Sequence, residues 1–401
     1  MLSPESTEVV KATAGVVAAH AETITSRFYP HMFAAHPELM RVFNKANQAV
    51  GEQPKALAAS VVAYAVNLID PDAPDFTPIM QRIAHKHVSL GIKATEYTIV
   101  GHHLMWAIGD VLGDAVTPEI AGAWDEVYWL FACQLIAEEA KLYALGGVDP
   151  EQPWRRYVVQ ERTEEGQDAF SLVIRPQEGE LPAHRTGQYV ALGIDLPGGE
   201  RQPRQYTISG VPGGTAFRLT IKRVTGAEGV PDGQVSTWLA EHAQVGTVLD
   251  VSLPSGDVVL DDTDAPLVLV SAGIGITPMA AIMEDLSQRQ PGRTVRAFHA
   301  DKGQDTHALF TTLQEYAEKM SDVRTQIWYE TGAQAPAREG RMDLTDVEIP
   351  SGAKVFMCGP LPFMQAMRRQ LIAKGVPASD IGYEVFGPDL WAQNPDAADA
   401  A

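Results

Sequence analysis

Residues 82–90 read RIAHKHVSL. Taken from Ile79, the run is helical. Ile79, Ile83, His87 and Leu90 fall at i, i+4, i+8 and i+11, the spacing of a stripe that faces a core. Gln81, Arg82, His85 and Ser89 share the other, polar face. At roughly 100° per residue, His85 and His87 lie about 200° apart, so they cannot serve one ion or one flat cofactor together. This register turns His87 inward and His85 to solvent. By itself, an inward histidine is more simply a core residue hydrogen-bonded to backbone.

The surroundings of that helix are helical throughout residues 1–147, with long amphipathic stretches punctuated at Pro30, Pro37, Gly51 to Pro54, 70–78, Gly91 and Thr117-Pro118. Ser3-Pro4-Glu5 reads as a helix start: a cap, a proline in the first turn, then an acid at the positive end. A Gly/Pro linker, YALGGVDPEQPW (143–154), ends the region. Residues 152–262 change character. RYVVQERT, AFSLVIRP, GQYVALGID, RQYTIS and FRLTIKRV are short β-rich runs separated by turn residues, and one helix, VSTWLAEHA, follows them. That pattern predicts an antiparallel β-barrel. In 265–391, strands such as PLVLVSA, TVRAFHA, VRTQIWYE and KVFMCGP alternate with helices, which predicts an α/β doubly wound parallel sheet. Residues 265–283 carry no charge and approach the length of a membrane span. Gly273, Gly275 and Pro278 break them in the middle, so strand, turn and helix start is the better reading. The tail 392–401, AQNPDAADAA, reads as disordered.

A chain of 401 residues exceeds what one core accommodates. The 31 basic against 51 acidic residues leave a net charge of −20. That excludes general nucleic-acid binding, which needs Lys and Arg against phosphate, and gives no basis for docking on anionic lipid. Two cysteines far apart, Cys133 and Cys358, build neither a disulfide framework nor a metal cage, which fits a cytoplasmic location. The N-terminus lacks the basic-then-apolar order of a signal peptide.

TSRFYPHMFAAHPELMRVFN (25–44), IAHKHVSLGIKATEYTIVGHHL and WDEVYWLFACQLIAEEAKLY together resemble a bacterial globin, and the chain as a whole resembles a flavohemoglobin, the nitric oxide dioxygenase family. The resemblance spans nearly everything but the tail. It implies a multidomain fold: an all-α globin carrying haem b, an antiparallel β-barrel for FAD, and an α/β doubly wound domain for NADH or NADPH. It makes His87 the proximal ligand of the haem iron, with Tyr97 and Glu139 as the partners of its other nitrogen and Lys86 beside it. A carboxylate on the imidazole pushes electron density toward iron, which favours oxygen activation over storage. On the distal side the resemblance implies Phe43 wedged at the haem edge, Tyr29 as a donor to bound oxygen, and Gln53 and Leu57 sharing one helix face. Read without it, Tyr29 and Phe43 are ordinary aromatic core and Gln53 a solvated helix start. Pro54 directly after Gln53 fits only a first helical turn.

Arg204, Gln205, Tyr206 and Thr207 in RQYTIS resemble a flavin-binding signature of ferredoxin-reductase-like proteins. Arg204 would bind a flavin phosphate, Tyr206 lie against the ring and Thr207 hydrogen-bond it, while Tyr189 would stack nearby. Gly233, Gln234, Val235 and Ser236 open a helix, whose free N–H groups, with the Ser236 hydroxyl, suit a pyrophosphate. Gly273, Ile274, Gly275, Ile276, Thr277 and Pro278 form a strand-to-helix turn that lets backbone approach a dinucleotide; as a fingerprint it lacks the third glycine. Cys358 and Gly359 end a later strand at the same sheet edge. Glu384, Val385, Phe386, Gly387 and Pro388 resemble the family's C-terminal motif, with Phe386 covering the flavin. Asp301 and Lys302 lean opposite ways on NADH against NADPH.

The implied activity is oxidation of NO to nitrate by O2, with NAD(P)H as reductant. NO and O2 would be the small-molecule partners, and a reductase on the same chain needs no obligatory protein partner. The alternatives are a flavin reductase of ferric iron, quinones or peroxides with a regulatory globin, and an oxygen carrier or sensor.

Overall fold

Ser3 begins the first helix as its residue type dictates. Its side chain accepts a hydrogen bond from the Ser6 N–H at 3.2 Å, and Pro4 fills the first position, where no N–H is needed. The computed structural model describes residues 2–42, 52–226 and 232–386, with the side chains of 52–56 and 58 outside the description. Among these, helix α1 (Pro4–Ala35) is followed by a 3-10 turn (Pro37–Arg41), then α2 (Glu52–Ile69), α3 (Thr77–Leu90), α4 (Glu96–Leu112) and α5 (Pro118–Gly146). The expected break at Pro30 does not occur. Buried Tyr29 and Met32 flank the proline, and α1 continues to Ala35 despite one lost N–H. Pro54 sits in the first turn of α2, where proline is tolerated. Gly91 closes α3 at φ 71°, a left-handed cap that returns its N–H to the last turn. The apolar faces of these helices enclose one core, centred on Phe28, Met32, Met80, Ala84, Trp124 and Leu135.

The remaining elements belong to a second unit, except that residues 201–203, at the start of the strand Arg201–Thr207, group with the first. The chain divides into Met1–Pro153 with Glu200–Pro203, and Trp154–Gly199 with Arg204–Phe386, residues beyond 386 lying outside the description. In the second unit, β1 (Arg155–Glu164), β2 (Ala169–Pro176), β3 (Tyr189–Asp195), β4 (Arg201–Thr207), β5 (Phe217–Lys222) and β6 (Val248–Val251) form a sheet in the order β4-β3-β6-β1-β2-β5. The pairs β1–β2, β1–β6, β2–β5 and β3–β6 are antiparallel. A bridge between Ile208 and Leu219 joins the two edges, so the sheet closes on itself. Strand β6 was not expected from sequence: it has four residues, and Asp250 interrupts its apolar run. Helix α6 (Gln234–His242) caps the barrel with Val235 and Leu239.

The second sheet runs β10-β9-β8-β7-β11-β12, from β7 (Leu267–Ala272), β8 (Val295–Asp301), β9 (Val323–Tyr329), β10 (Arg338–Glu339), β11 (Lys354–Cys358) and β12 (Ile381–Glu384), and all its pairs are parallel. Helices α7 (Ile276–Arg289), α8 (Phe310–Glu318) and α9 (Leu361–Ala373) alternate with these strands. The strand order reverses at β7, which puts the 273–278 turn at the crevice where doubly wound sheets take ligands.

Candidate functional site

The helical unit builds one tight constellation. His87 on α3 presents Nδ1 to the Tyr97 hydroxyl at 2.8 Å and to Glu139 Oε1 at 2.8 Å. Tyr97, in the first turn of α4, donates its hydroxyl to the same Glu139 oxygen at 2.5 Å. Glu139 reaches in from α5 and is only 4% exposed. Burial, with Glu139 beside it, holds the Tyr97 phenol well above its ordinary pKa, so Tyr97 stays protonated and donates. A carboxylate that accepts from Nδ1 fixes the imidazole tautomer. The proton sits on Nδ1, and Nε2 keeps a free lone pair. Nε2 has no hydrogen-bond partner among the described residues. This arrangement suits a metal ligand whose outer nitrogen is already anchored.

The helix register is finer than the sequence pattern. The fully buried stripe of α3 is Met80, Ala84 and Val88, and Met80 and Ala84 pack into the helical core. Ile79, Ile83, His87 and Leu90 are half-buried beside it, an apolar strip with one imidazole in it. Such a strip fits the face of a flat apolar macrocycle. His85 is half-buried rather than solvated, with its Nδ1 withdrawn from water. Ser89 is buried, contrary to its expected polar face. Its hydroxyl donates to the Lys86 carbonyl at 2.8 Å, which satisfies it inside the core. Lys86 is half-buried between the two histidines.

Of the expected distal set, Tyr29 is buried with its ring 4.7 Å from that of Phe28 and 5.8 Å from that of Phe33. Leu57 on α2 packs against the same core. Phe43 and the Gln53 side chain lie outside the described residues, as do Gly387 and Pro388.

In the barrel, Arg204, Gln205 and Tyr206 are half-buried at the end of β4, and Thr207 is buried. Burial lowers the Arg204 pKa and raises that of Tyr206. A guanidinium held where its charge is poorly solvated fits a phosphate. Tyr189 pairs by backbone with Ser255, and its ring lies against Gly256, where an added Cβ would come within 3.2 Å of it. The Ser236 hydroxyl is already employed. It accepts from the Val224 N–H at 3.1 Å and donates to the Gly233 carbonyl at 3.0 Å. The donors left for an anion there are the first backbone N–H groups of α6, at Gln234, Val235 and Ser236.

In the parallel sheet, Gly273 adopts φ 53°, and Ile274, Gly275, Ile276, Thr277 and Pro278 lead into α7. A Cβ on Gly275 would lie 2.9 Å from the Gly359 nitrogen and closer still to the Cys358 carbonyl; one on Gly359 would meet Phe363 at 2.9 Å. The two backbone turns thus touch through glycine, a cradle that side chains would fill. Thr277 spends its hydroxyl on the Ile274 carbonyl at 3.0 Å. Cys358 is buried between Ser271 and Glu384 on neighbouring strands, and burial pushes its thiol up. Val385 is half-buried and Phe386 is 48% exposed.

Asp301 is engaged within the protein. Its Oδ1 accepts from the Lys302 N–H and the Thr306 hydroxyl at 2.7 Å each, and its Oδ2 lies 3.5 Å from His299 Nε2. His299 in turn bonds Ser271, and His307 bonds Tyr329. This buried network shapes the 301–307 turn and was not foreseen from sequence.

Among known proteins, the globin family model matches residues 26–135 and the oxidoreductase NAD-binding domain model matches 269–369. A flavohemoprotein from Bordetella parapertussis is 42% identical over 96% of this chain and 99% of its own length. One from Rhizobium meliloti is 38% identical over 98% and 100%. A crystal structure of flavohemoglobin from Malassezia yamatoensis with bound FAD and heme superposes with a TM-score of 0.87 at 34% identity, covering 96% of this chain and all of that one. The FAD/NAD-binding domain of a nitric oxide dioxygenase from Vibrio cholerae covers 58% of this chain and 99% of that one, with a TM-score of 0.55 at 31% identity.

Proposed function

The chain belongs to the flavohemoprotein family, and from that premise we propose that this oxidoreductase converts nitric oxide and dioxygen to nitrate at the expense of NAD(P)H. Each NO needs one O2 and one electron, so one NAD(P)H serves two turnovers. When bound, FAD would split the two-electron reductant into single electrons and haem b would supply the iron at which O2 and NO react. Residues 1–147 are assigned to haem, 152–262 to FAD and 265–391 to NADH or NADPH.

His87 would take the iron through Nε2, with Tyr97 and Glu139 holding the proton at Nδ1. Tyr29 would donate to oxygen on the other side, in a pocket shared with Phe43, Gln53 and Leu57. Arg204 and the N–H groups of 234–236 would hold the flavin phosphates, Tyr189, Tyr206 and Phe386 its rings, and the Gly275–Gly359 cradle the nicotinamide dinucleotide.

One observation carries the reading: the buried Glu139 carboxylate on His87 Nδ1. It raises electron donation through the imidazole, which oxygen activation uses and a reversible carrier does not. No described helix is long and apolar enough to cross a membrane, consistent with the proposed cytoplasmic location.

The test is stopped-flow mixing of the oxygenated ferrous protein with NO. Stoichiometric nitrate within milliseconds is expected. Slow decay with little nitrate, alongside fast NAD(P)H-driven reduction of ferric iron or quinone, would replace this reading with the flavin-reductase one.

A further inference from the structure

The side chain of Arg218, the second residue of β5, leaves the barrel. Its Nε donates to the Ser209 hydroxyl at 3.3 Å and one Nη2 hydrogen goes to the Ser209 carbonyl. The same Nη2 donates to Glu284 on α7 at 2.8 Å, and Nη1 donates to the Tyr316 hydroxyl on α8 at 3.2 Å. The side chains of Arg218 and Glu284 are 22% and 17% exposed, and Ser209 and Tyr316 are buried. One planar fork therefore joins three segments: the end of β4, α7 and α8.

The positions of two of those segments give the contact its meaning. Ser209 lies two residues beyond Thr207, at the end of the proposed flavin strand. Glu284 lies seven residues beyond Thr277, about two turns along the helix that opens at the dinucleotide cradle. Other ties between barrel and parallel sheet start from other barrel segments, one of them also ending on α7. Glu165 takes the Leu309 N–H, the Gln167 N–H donates to the Asp305 carbonyl, and Thr186 donates to Asp285. None of these bonds the 204–209 segment. Arg218 connects it directly to α7, bonding Ser209 and Glu284 at once.

Resting on the cofactor assignments above, we propose that Arg218 is a positioning residue for hydride transfer: with Glu284 it fixes the flavin strand against the helix that carries the nicotinamide cradle. The step itself moves a hydride from C4 of the dihydronicotinamide to N5 of the flavin, breaking a C–H bond and forming an N–H bond; Arg218 touches neither atom. Transfer rates are steep in donor–acceptor distance, and a displacement near 1 Å costs about a hundredfold. A lysine cannot replace the fork. Its single ammonium lacks the planar set of donors that serves Ser209, Tyr316 and Glu284 at once.

The test uses the full-length protein as Arg218→Gln, Arg218→Lys and Glu284→Gln. Two quantities are measured: the limiting rate of anaerobic flavin reduction by NADH and by NADH deuterated at the transferred position, and amide hydrogen exchange over 204–210 and 276–290 in protein stripped of FAD. We expect FAD content to hold, the limiting rate to fall at least tenfold with a larger isotope effect, lysine not to rescue, and exchange to rise in both segments together. Unchanged rates, or a fall that only tracks lost FAD, would overturn the proposal. So would faster exchange confined to 217–222. If Arg218→Gln fails to fold, the near-isosteric Glu284→Gln decides alone. If the unaltered protein is not reduced by NADH or NADPH, the cofactor reading fails, and the exchange data still decide whether Arg218 couples the two segments.

Discussion

Glu139→Gln is the perturbation that isolates the proximal charge. It keeps the side chain's length and removes one negative charge from a site almost closed to water. In the native site, Glu139 Oε1 accepts from both His87 Nδ1 and the Tyr97 hydroxyl. Bonds to a charged acceptor are worth about 1.5–3 kcal/mol, against about 0.5–1.5 kcal/mol for neutral pairs. The His87 bond should therefore weaken by about 1–1.5 kcal/mol. That bond strengthens as iron becomes ferric, because the imidazole then bears more positive charge. Losing it favours the ferrous state, and at roughly 59 mV per 1.4 kcal/mol for one electron the haem midpoint should rise by about 40–65 mV. Spectroelectrochemical titration of the purified variant measures this, and the iron–histidine stretch of the ferrous form should fall in frequency. A midpoint that moves by less than about 20 mV, or that falls, would refute the claim that Glu139 acts on iron through His87.

Tyr29→Phe deletes one hydroxyl, and oxygen should leave at least roughly tenfold faster, since a bond of about 1.5–3 kcal/mol is lost; an unchanged off-rate removes Tyr29 from the distal site. His87→Ala should lose the histidine–iron signature in ferrous and CO-bound spectra, while His85→Ala keeps it; the reverse outcome would overturn the register of α3. Gly275→Ala forces a methyl onto the Cys358 carbonyl, so the KM for NADH should rise or the variant should melt earlier, with flavin reduction by dithionite intact. Burial pushes His307 down to about 3 and lowers His299 as well, so both imidazoles fold neutral. The unfolded chain binds protons below about pH 6.5, so this stability is complete above that pH and is lost as pH falls toward 3. Unfolding free energies from urea titrations followed by flavin release should drop between pH 7 and 5, by about 2 kcal/mol for His307, and His307→Gln should flatten that drop.

The proximal constellation was legible because helical spacing and residue chemistry agree there. His87, Tyr97 and Glu139 come from three helices, and the resemblance supplied their convergence. The alternation of strand and helix after 265 was legible for the same reason, period and turn residues agreeing. The α3 face was legible only to within one stripe. A half-buried apolar residue such as Ile83 and a core one such as Met80 look identical in a hydropathy pattern. Ser89 was misread because a hydroxyl bonded to the carbonyl three residues back no longer needs water. The Ser236 hydroxyl was read as a ligand donor, yet a local carbonyl takes its hydrogen, as one takes that of Thr277, and no pattern reveals where a rotatable hydroxyl points. Arg218 was invisible for a related reason: an arginine in a β-run reads as a solvated face until the third segment it holds is known.

These misreadings share a cause that bears on how the sites are made. A side chain at a ligand site has a limited number of polar atoms, and the fold commits some of them before a ligand arrives. His87 gives Nδ1 to Glu139 and so offers Nε2 with a defined lone pair. Ser236 gives its hydroxyl to the 224 and 233 backbone and so holds the start of α6, whose first three N–H groups have no partner within the helix. Gly275 and Gly359 give nothing and admit backbone in place of side chain. The residue type names the atoms available, but the partner already bound decides which of them remains. That partner lies 52 residues away for His87, 12 and 3 for Ser236, and 84 for the Gly275–Gly359 contact. Local pattern therefore finds the candidates, and the long-range hydrogen bonds select the atom that does the work.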